Sequence, residues 1–572
     1  MAGNTLWQIA FGDYDFALDR RTLTYQLTDT KTGAVWADRL SVGWLTLEEA
    51  ATGKQTRYAF GDMKLVSLSE KSGQQGKRIL IGLDCQGVPV DLYFICSQKE
   101  IQLTVEASRD TRTHRVQDIG LLPGLVSVPD DGVSYLVIPQ REGAILRAAD
   151  GPAAMRSLPI WDSPRGVTMP FIGAVQSRTF SEPDSALALI TDSVYGAFHL
   201  ARREDGSATL DTRYTRDPER RRLDLRLMVL PEQNHAGVAR AYRSKIIGER
   251  SHVTLRQKIR EQPRTESLLG AAWFLLSAAQ SAEASDIARR WKQELGVERA
   301  VWWLSSPPDR PLPEGHLLLH EATRRSQEGD REATGHEVCF FESHFPLDGL
   351  GKETAWSILE TGLEDIAKVR ESFAVVGSAD GSDWRNLAAD YWLPSKAPVI
   401  PADDVETIAV PLYPAVYHDS LVVPHPILAS HQTSFLRALR NLAPPLYDLR
   451  TSESTDTFVE RTYAVLGPLH HLSFAAFLNE HRFLTPDFTV EEARYTNGAS
   501  VLINQSATET YENEQVSLPP FGFYVEHSRM TAHDALRVGV ETFPKRAFRI
   551  ARSQDSKPLS ESADVLLQEF AN

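Results

Sequence analysis

Cysteine is scarce in this chain, with three in 572 residues. Cys85, Cys96 and Cys339 each lie in an apolar, strand-like stretch. An odd set of buried, reduced thiols is therefore expected, in a reducing compartment, and a disulfide framework is excluded. There is no Cys-x-x-Cys pair, and His418, His425 and His431 lack the helical spacing of zinc ligands. A Gly-x-Gly-x-x-Gly turn and a Walker-type loop are also missing. No metal and no nucleotide cofactor is expected. Apolar runs stay well short of the roughly 18 residues a membrane span requires, and the start has neither a basic region nor an apolar core of a leader. The expectation is a cytoplasmic protein that does not engage a membrane. Basic charge is in deficit, 61 Lys and Arg against 76 Asp and Glu, a net of −15. A phosphate backbone needs the opposite balance, so nucleic acid is not an expected partner. The one basic run, Arg220-Arg221-Arg222, is flanked by Glu219 and Asp224 and reads as a solvated turn.

What is present is ordinary globular material, 42% apolar and 24% charged. The length exceeds one core and calls for roughly three domains. From Trp7 to about Leu230, short alternating runs are punctuated by Gly, Pro, Asp and Ser, which predicts two large stacked β-sheets. His235 to Gln262 then turns helical, with Ala239, Tyr242, Ile246 and Ile247 on one face and Pro263 as the stop. Buried strands are predicted at Leu268–Leu276, Ala300–Leu304, Leu317–Glu321, Val338–Phe341, Phe373–Gly377, Ile408–Tyr417 and Pro444–Asp448. A helix over Ala282–Leu295 ends at Gly296, and another follows over Asp456–Leu478. Near the end, Phe483 to Asn504 reads as a hairpin turning at Asn497-Gly498. Ser560 to Phe570 reads as a short amphipathic helix. The fold class is thus multi-domain, α/β plus all-β. Its segments are a β-sandwich over 1–232, a helical linker over 233–263, a (β/α) barrel over 264–482, a small β-sandwich over 483–547 and a tail helix over 548–572.

The chemistry concentrates between Glu337 and Asp419. Three apolar runs there end in acids: Val338–Phe341 at Glu342, Phe373–Gly377 at Asp380 and Asp383, and Ile408–Tyr417 at His418-Asp419. A barrel opens all its strand-end loops on one face, so acids at successive strand ends converge. A pair of carboxylates can split a glycosidic bond, one protonating the leaving oxygen and the other attacking the anomeric carbon or activating water. Aromatic rings add an apolar face for the C–H side of a sugar. Glu342 and Asp380 are the candidate catalytic pair. Asp383, Trp384, Trp303, Tyr417, His418 and Asp419 are the candidate substrate-binding residues.

Lys31-Thr32-Gly33 with Val35-Trp36, the stretch Ser134 to Gly143, and Pro170-Phe-Ile-Gly-Ala-Val resemble the N-terminal supersandwich of bacterial multi-domain glycosidases. The group is that of the endo-α-N-acetylgalactosaminidases and α-N-acetylgalactosaminidases. Val410 to Asp419 and Leu442 to Leu446 resemble its late barrel segments, and Val376-Gly-Ser-Ala-Asp-Gly-Ser-Asp-Trp384 is similar to the strand-end segment that carries its general acid/base. The resemblance implies a TIM-type barrel beside the supersandwich and hydrolysis of an α-linked glycoside with retention, the substrate being an oligosaccharide or glycoside. It also implies a loop lent by the sandwich, with Arg141, Glu142 and Asp162 as candidates. The family places an aspartate nucleophile at the position of Glu342 and a glutamate acid/base at or beside Asp380. Here the two acid types are exchanged, which admits an alternative: an inactive, carbohydrate-binding or scaffold relative. The stretch from Leu268 to Asp448 is also shorter than the roughly 250 residues typical of such a barrel, so a distorted one is expected.

Overall fold

The computed structural model describes residues 6–73, 76–107, 110–152, 154–160, 166–180, 182–193, 196–215, 222–303, 310–323, 338–342, 375–378, 389, 391–392, 407–450 and 454–570. They fall into two compact units. The first holds the described residues up to Lys245 together with 407–412, and the second holds the others.

Alternation of apolar and polar residues builds the first unit. Val88–Cys96, Ile101–Ala107 and Arg222–Pro231 bury every second side chain, as strands with one face on a core must. These belong to a ten-stranded sheet that runs from the edge strand Lys64–Gly73 to Ile408–Ala409. A six-stranded sheet, ordered Arg156–Pro159, Gly196–Arg202, Ala208–Thr215, His114–Val128, Gly43–Glu49 and Gln55–Ala59, shares one apolar core with it. A four-stranded meander over Leu6–Ser41 adds to the same core. The large sandwich is therefore present, with a third sheet that alternation alone did not separate.

The motif at Lys31–Trp36 has a structural role here. Asp29 caps the turn by accepting from the Lys31 and Thr32 amides, and its other oxygen accepts from the Ser185 hydroxyl. Ser185 in turn accepts from the Trp36 indole N–H at 3.0 Å. This buried chain bolts the meander onto the ten-stranded sheet. The thiols of Cys85 and Cys96 are buried and free. Burial pushes their pKa values up to about 11 and about 12, so both stay protonated and unreactive at neutral pH.

The helix His235–Gly248 carries the chain out of the first unit. Its apolar face lies on the ten-stranded sheet: the Tyr242 ring sits 5.0 Å from that of Phe171, and Tyr135 Oη is 3.0 Å from His235 Nδ1. Gly173 allows this approach, because a Cβ there would meet the Leu187 carbonyl at 2.7 Å and Val238 Cγ1 at 2.8 Å.

In the second unit the helix Leu255–Glu261 starts at a Thr254–Gln257 capping box. An all-parallel sheet follows. Its strands, in chain order, are β1 (Ala272–Leu275), β2 (Ala300–Trp303), β3 (His316–Thr323), β4 (Val338–Glu342), β5 (Val375–Ser378), β6 (Tyr391–Trp392), β7 (His425–Pro426) and β8 (Pro445–Asp448). The ladder reads β6-β5-β4-β3-β2-β1-β8-β7, so the first strand pairs with the last. Among the described residues no pairing joins β6 to β7. The helix Ala284–Glu294 returns the chain from β1 to β2, and Asp456–Ser473 follows β8. A nine-stranded antiparallel sheet over Leu478–Phe570 completes the unit, with Gly498 at φ +84° in the expected turn. No helix among the described residues is long and apolar enough to cross a membrane.

Two expectations are corrected. Ile408 to Tyr417 is not a strand of the parallel sheet. Only Ile408–Ala409 is extended, and it pairs with Ala144–Arg147 in the first unit before the chain becomes the helix Leu412–Tyr417. A short run that is apolar all round does not distinguish a buried strand from a buried helix, and Pro411 and Pro414 remove two ladder donors. The tail is not a helix either: Val565–Phe570 pairs antiparallel with Glu541–Ser553. The strand Glu541–Ser553 offers that segment backbone partners along one side, which outweighs its weak helical pattern. The helix expected over Glu353–Arg370 lies outside the described residues.

Candidate functional site

Alternation along β1, β2 and β8 sorts their side chains onto two faces. Phe274, Trp302 and Tyr447 form an aromatic layer with Trp291 of the first covering helix; Phe274 lies 4.6 Å from Trp302, 4.9 Å from Trp291 and 5.3 Å from Tyr447. The Trp291 N–H donates to Asp456 and Tyr447 Oη meets Thr462 Oγ1 at 2.8 Å, which ties both helices to this layer. Trp273, Leu275, Val301, Leu317 and Leu446 occupy the other face in a separate core, with Trp303 half-buried against them. Trp302 is thus a packing residue, and Trp303 stands on the opposite face.

His316 opens β3 within the aromatic layer. Its Nδ1 accepts from the Trp302 indole N–H at 3.1 Å, and its Nε2 lies 2.9 Å from the Val297 carbonyl. That geometry fits one neutral tautomer. Burial lowers its pKa from 6.5 to about 4. Because the folded value lies below the unfolded one, the stability it contributes is full above about pH 6.5 and is lost as pH falls toward about 4. An NMR titration of the histidine rings should find His316 neutral at pH 5.5. A midpoint near 6.5 for this ring would contradict the packing described.

All eight strands end on the same edge of the sheet, as parallel strands must. Those ends are Leu275, Trp303, Thr323, Glu342, Ser378, Trp392, Pro426 and Asp448. Trp303 and Asp448 are both register partners of Leu275, one on each side. Glu342 closes β4 opposite Thr323 of β3. Of the predicted site residues, Trp303 and Glu342 therefore fall on this edge. Asp380, Asp383 and Trp384 follow the end of β5 and, like Asp162, lie outside the described residues.

Tyr417, His418 and Asp419 do not end a strand of this sheet. They follow the helix Leu412–Tyr417 and are buried. His252 Nε2 lies 3.1 Å from Asp419 Oδ1, and the His252 ring stacks on Tyr417 at 5.8 Å. His418 Nδ1 is 2.7 Å from the Ala476 carbonyl, and its ring meets Tyr495 of the C-terminal sheet. Lys258, also buried, donates to the carbonyls of Ala389 and Ser420. These contacts hold all three side chains in place within the second unit. Arg141 ends up in the left-handed region, φ +56°, in a turn whose carbonyls at Pro139 and Arg141 lie within bonding distance of the Thr168 hydroxyl.

Sequence reasoning missed Asp448 and Arg450. Asp448 Oδ1 accepts from Arg450 Nε at 2.7 Å and Oδ2 from Nη2 at 2.5 Å, a two-point carboxylate–guanidinium fork. The bond to Asp448 raises the guanidinium pKa further. Beneath the fork, Leu449 N–H donates to the Leu275 carbonyl and Gln280 Nε2 donates to the Leu449 carbonyl at 2.8 Å. The acid at the end of the predicted strand Pro444–Asp448 was the available signal.

No family model matches the chain, and neither does any curated protein. Solved structures do. An α-N-acetylgalactosaminidase from Bifidobacterium bifidum, in complex with Gal-NHAc-DNJ, aligns with a TM-score of 0.69 at 15% identity, over 87% of this chain and 98% of that one. The GalNAc complex of the same enzyme aligns with a TM-score of 0.68 at 14% identity and the same coverage. The likeness establishes a shared fold over nearly the whole of that enzyme, and the family resemblance read from the sequence is borne out at that level.

Proposed function

We propose that this protein is a glycoside hydrolase acting on an α-linked glycoside with retention, and that its parallel sheet closes as a shortened (β/α)8 barrel. The observation that carries the reading is the strand order. Eight parallel strands follow one another in chain order with β1 paired to β8, as strands on a ring do. A single junction, β6 to β7, completes the circle. Val338 is the register partner of Leu319, which is that of Trp303. Glu342 lies an even step of four residues from Val338, so its backbone position has the parity of Trp303 and Asp448.

In this reading Glu342 is the nucleophile and Asp380 the general acid/base, with Asp383, Trp384 and Trp303 around the sugar. Glu342 attacks the anomeric carbon as Asp380 protonates the leaving oxygen; Asp380 then takes a proton from the water that releases the sugar. Retention sets their carboxyl groups about 5–5.5 Å apart. Support for a sugar substrate comes from the shared fold, since the aligned structures hold GalNAc and Gal-NHAc-DNJ.

The test is a panel of aryl α- and β-glycosides of galactose, N-acetylgalactosamine and glucose, with the anomer of the first product followed by NMR. Release of an α-configured sugar from an α-glycoside is the expected result. Initial release of the β-anomer from that substrate would replace retention by inversion. No release from any member would reject the hydrolase reading.

A further inference from the structure

We infer that the edge strand Lys64–Gly73 of the ten-stranded sheet docks a second copy of this chain, the two strands pairing antiparallel about a two-fold axis through Ser67. The two sheets then continue as one. The inference concerns the first unit alone and stands apart from the hydrolase reading. Among the described residues Lys64–Gly73 pairs on one side only, with Gly76–Cys85. All ten of its residues are exposed. Open backbone donors and acceptors along such an edge are a template for another strand. Edges are commonly blunted by proline, by charge or by brevity. This one is long, holds no proline, and carries no charge from Leu65 to Ser69. Its single irregularity lies at Val66, and from Ser67 to Gly73 the ladder to the neighbouring strand is regular.

The side chains of this edge favour cover. Val66 is an extra residue against the neighbouring strand, so the pleat is reset there. Leu65 is the register partner of Leu83, and Leu68 that of Ile81. Leu83 and Ile81 belong to the buried core, and directly opposed residues share a face. Leu65 and Leu68 therefore lie on the core side of the sheet, yet they are 47% and 38% exposed, and Val66 is 64% exposed. The apolar face of the sheet thus runs one strand beyond its covering. A lone exposed leucine needs no explanation, but three apolar residues within one open edge mark an interaction site.

Symmetry and charge identify the occupant. A two-fold dimer is isologous, so the strand must complement itself. With Val66 set aside as the extra residue, an axis at Ser67 opposes Leu65 to the partner's Leu68, and Leu68 to the partner's Leu65, on the core face. On the other face Ser67 meets its own copy, and Lys64 meets the partner's Ser69. Further out, Lys71 lies opposite the partner's Asp62. Both are exposed, and neither has an ion-pair partner among the described residues. Glu70 is already held by Lys77 at 2.6 Å and by Arg20 at 3.7 Å, and it falls opposite the partner's Met63. Moving the axis to Leu68 would oppose Lys64 to the partner's Lys71, a like-charge pair that destabilises. The strand therefore favours one register with its own copy.

The experiment measures self-association of the full chain by sedimentation velocity, from micromolar to near-millimolar concentration, since a strand edge is a small interface. Wild type is compared with Leu68→Lys, with Asp62→Lys and Lys71→Glu singly and combined, and with Ser67→Cys under mild oxidation, each checked for an unchanged Tm. A reversible wild-type dimer is expected. Leu68→Lys should weaken it by about tenfold or more. Each single charge reversal should weaken it severalfold, and the combined variant, which again opposes unlike charges, should recover the wild-type affinity. Ser67→Cys should yield a disulfide-linked dimer, because opposed residues at the axis bring their Cβ atoms within about 4.5–5.5 Å. Val35→Cys, at an exposed position on another sheet, is the control. A wild type that stays monomeric throughout overturns the inference. So does a dimer unmoved by Leu68→Lys, which lies at another surface, and one in which Ser67→Cys links no faster than Val35→Cys, which lacks this axis. Failure of the combined variant to recover overturns the register.

Discussion

Replacing Glu342 by Gln is expected to cut kcat by roughly 10²–10⁴-fold on a hydrolysed glycoside, and Asp380→Asn to do the same. The two losses should differ in kind. Without a nucleophile, Glu342→Gln cannot form the covalent glycosyl-enzyme, so no burst and no trapped intermediate should be seen. Asp380→Asn removes the proton donor, so it should spare substrates with a good leaving group, such as dinitrophenyl glycosides, far more than alkyl glycosides. Azide should rescue Glu342→Gln with a product of inverted configuration. Turnover at the wild-type rate in either variant removes that residue from the mechanism. Should neither variant nor wild type release sugar while binding persists, the alternative of an inactive carbohydrate-binding relative gains the ground. The exchange of acid types between the two positions is what makes this comparison informative. Glu342 carries one more methylene than an aspartate nucleophile would, so Glu342→Asp measures how far its reach is matched to the partner.

The second large effect is on stability. Arg440 at the end of the helix Gln432–Arg440, with Glu491 and His481 of the C-terminal sheet, forms an ionic cluster whose side chains are 1%, 0% and 0% exposed. Arg440 Nη1 lies 3.2 Å from both carboxylate oxygens of Glu491, His481 Nε2 lies 2.6 Å from Oε2, and Gln505 Nε2 donates to Oε1. The Tyr495 hydroxyl adds a bond to the Arg440 carbonyl at 2.7 Å. Removing one member strands a charge that has no water to turn to, which costs about 3–5 kcal/mol. Glu491→Gln and Arg440→Met should each lower the urea midpoint accordingly, while the double variant recovers part of the loss. A change below about 1 kcal/mol in both single variants would show that the cluster is not coupled to folding. Burial alone would push the Glu491 carboxyl up, but Arg440 and the His481 hydrogen bond outweigh it and hold the pKa below its ordinary 4.5. The folded value is depressed, so this stability is present above about pH 4.5 and is lost as pH falls through the folded value. Acid unfolding of the wild type should therefore be steeper than that of Glu491→Gln.

Legibility differed by kind of element. The strands of the first unit were readable because alternation is a one-dimensional signal: Val88 to Cys96 announces its buried face residue by residue. Six of the eight parallel strands were readable for the opposite reason, as continuous apolar runs, whereas the short pieces Tyr391–Trp392 and His425–Pro426 carried no such run; the helix Ala284–Glu294 declared its end at Gly296. Ile408 to Tyr417 failed because a run that is apolar on every side carries no period. Val565 to Phe570 failed because its state depends on an open sheet edge formed by Glu541–Ser553, which no local pattern reports. Tyr417-His418-Asp419 stood out for its residue types, but its contacts with His252, Ala476 and Tyr495 are long-range and left no local signal.

Composition and pattern by themselves determined that this chain is acidic, poor in thiols and built from an alternating β region, a helical passage, a run of buried strands and a further β region that opens with a hairpin at Asn497-Gly498. Each of these follows from local periodicity and charge, which need no knowledge of distant partners. Tertiary structure alone decided which residues meet. It paired β1 with β8, and so brought Trp303 and Asp448, far apart in the chain, to either side of Leu275. It set Arg440 against Glu491 and His481. Such contacts depend on register and strand order across long separations, and a sequence carries no periodic trace of either.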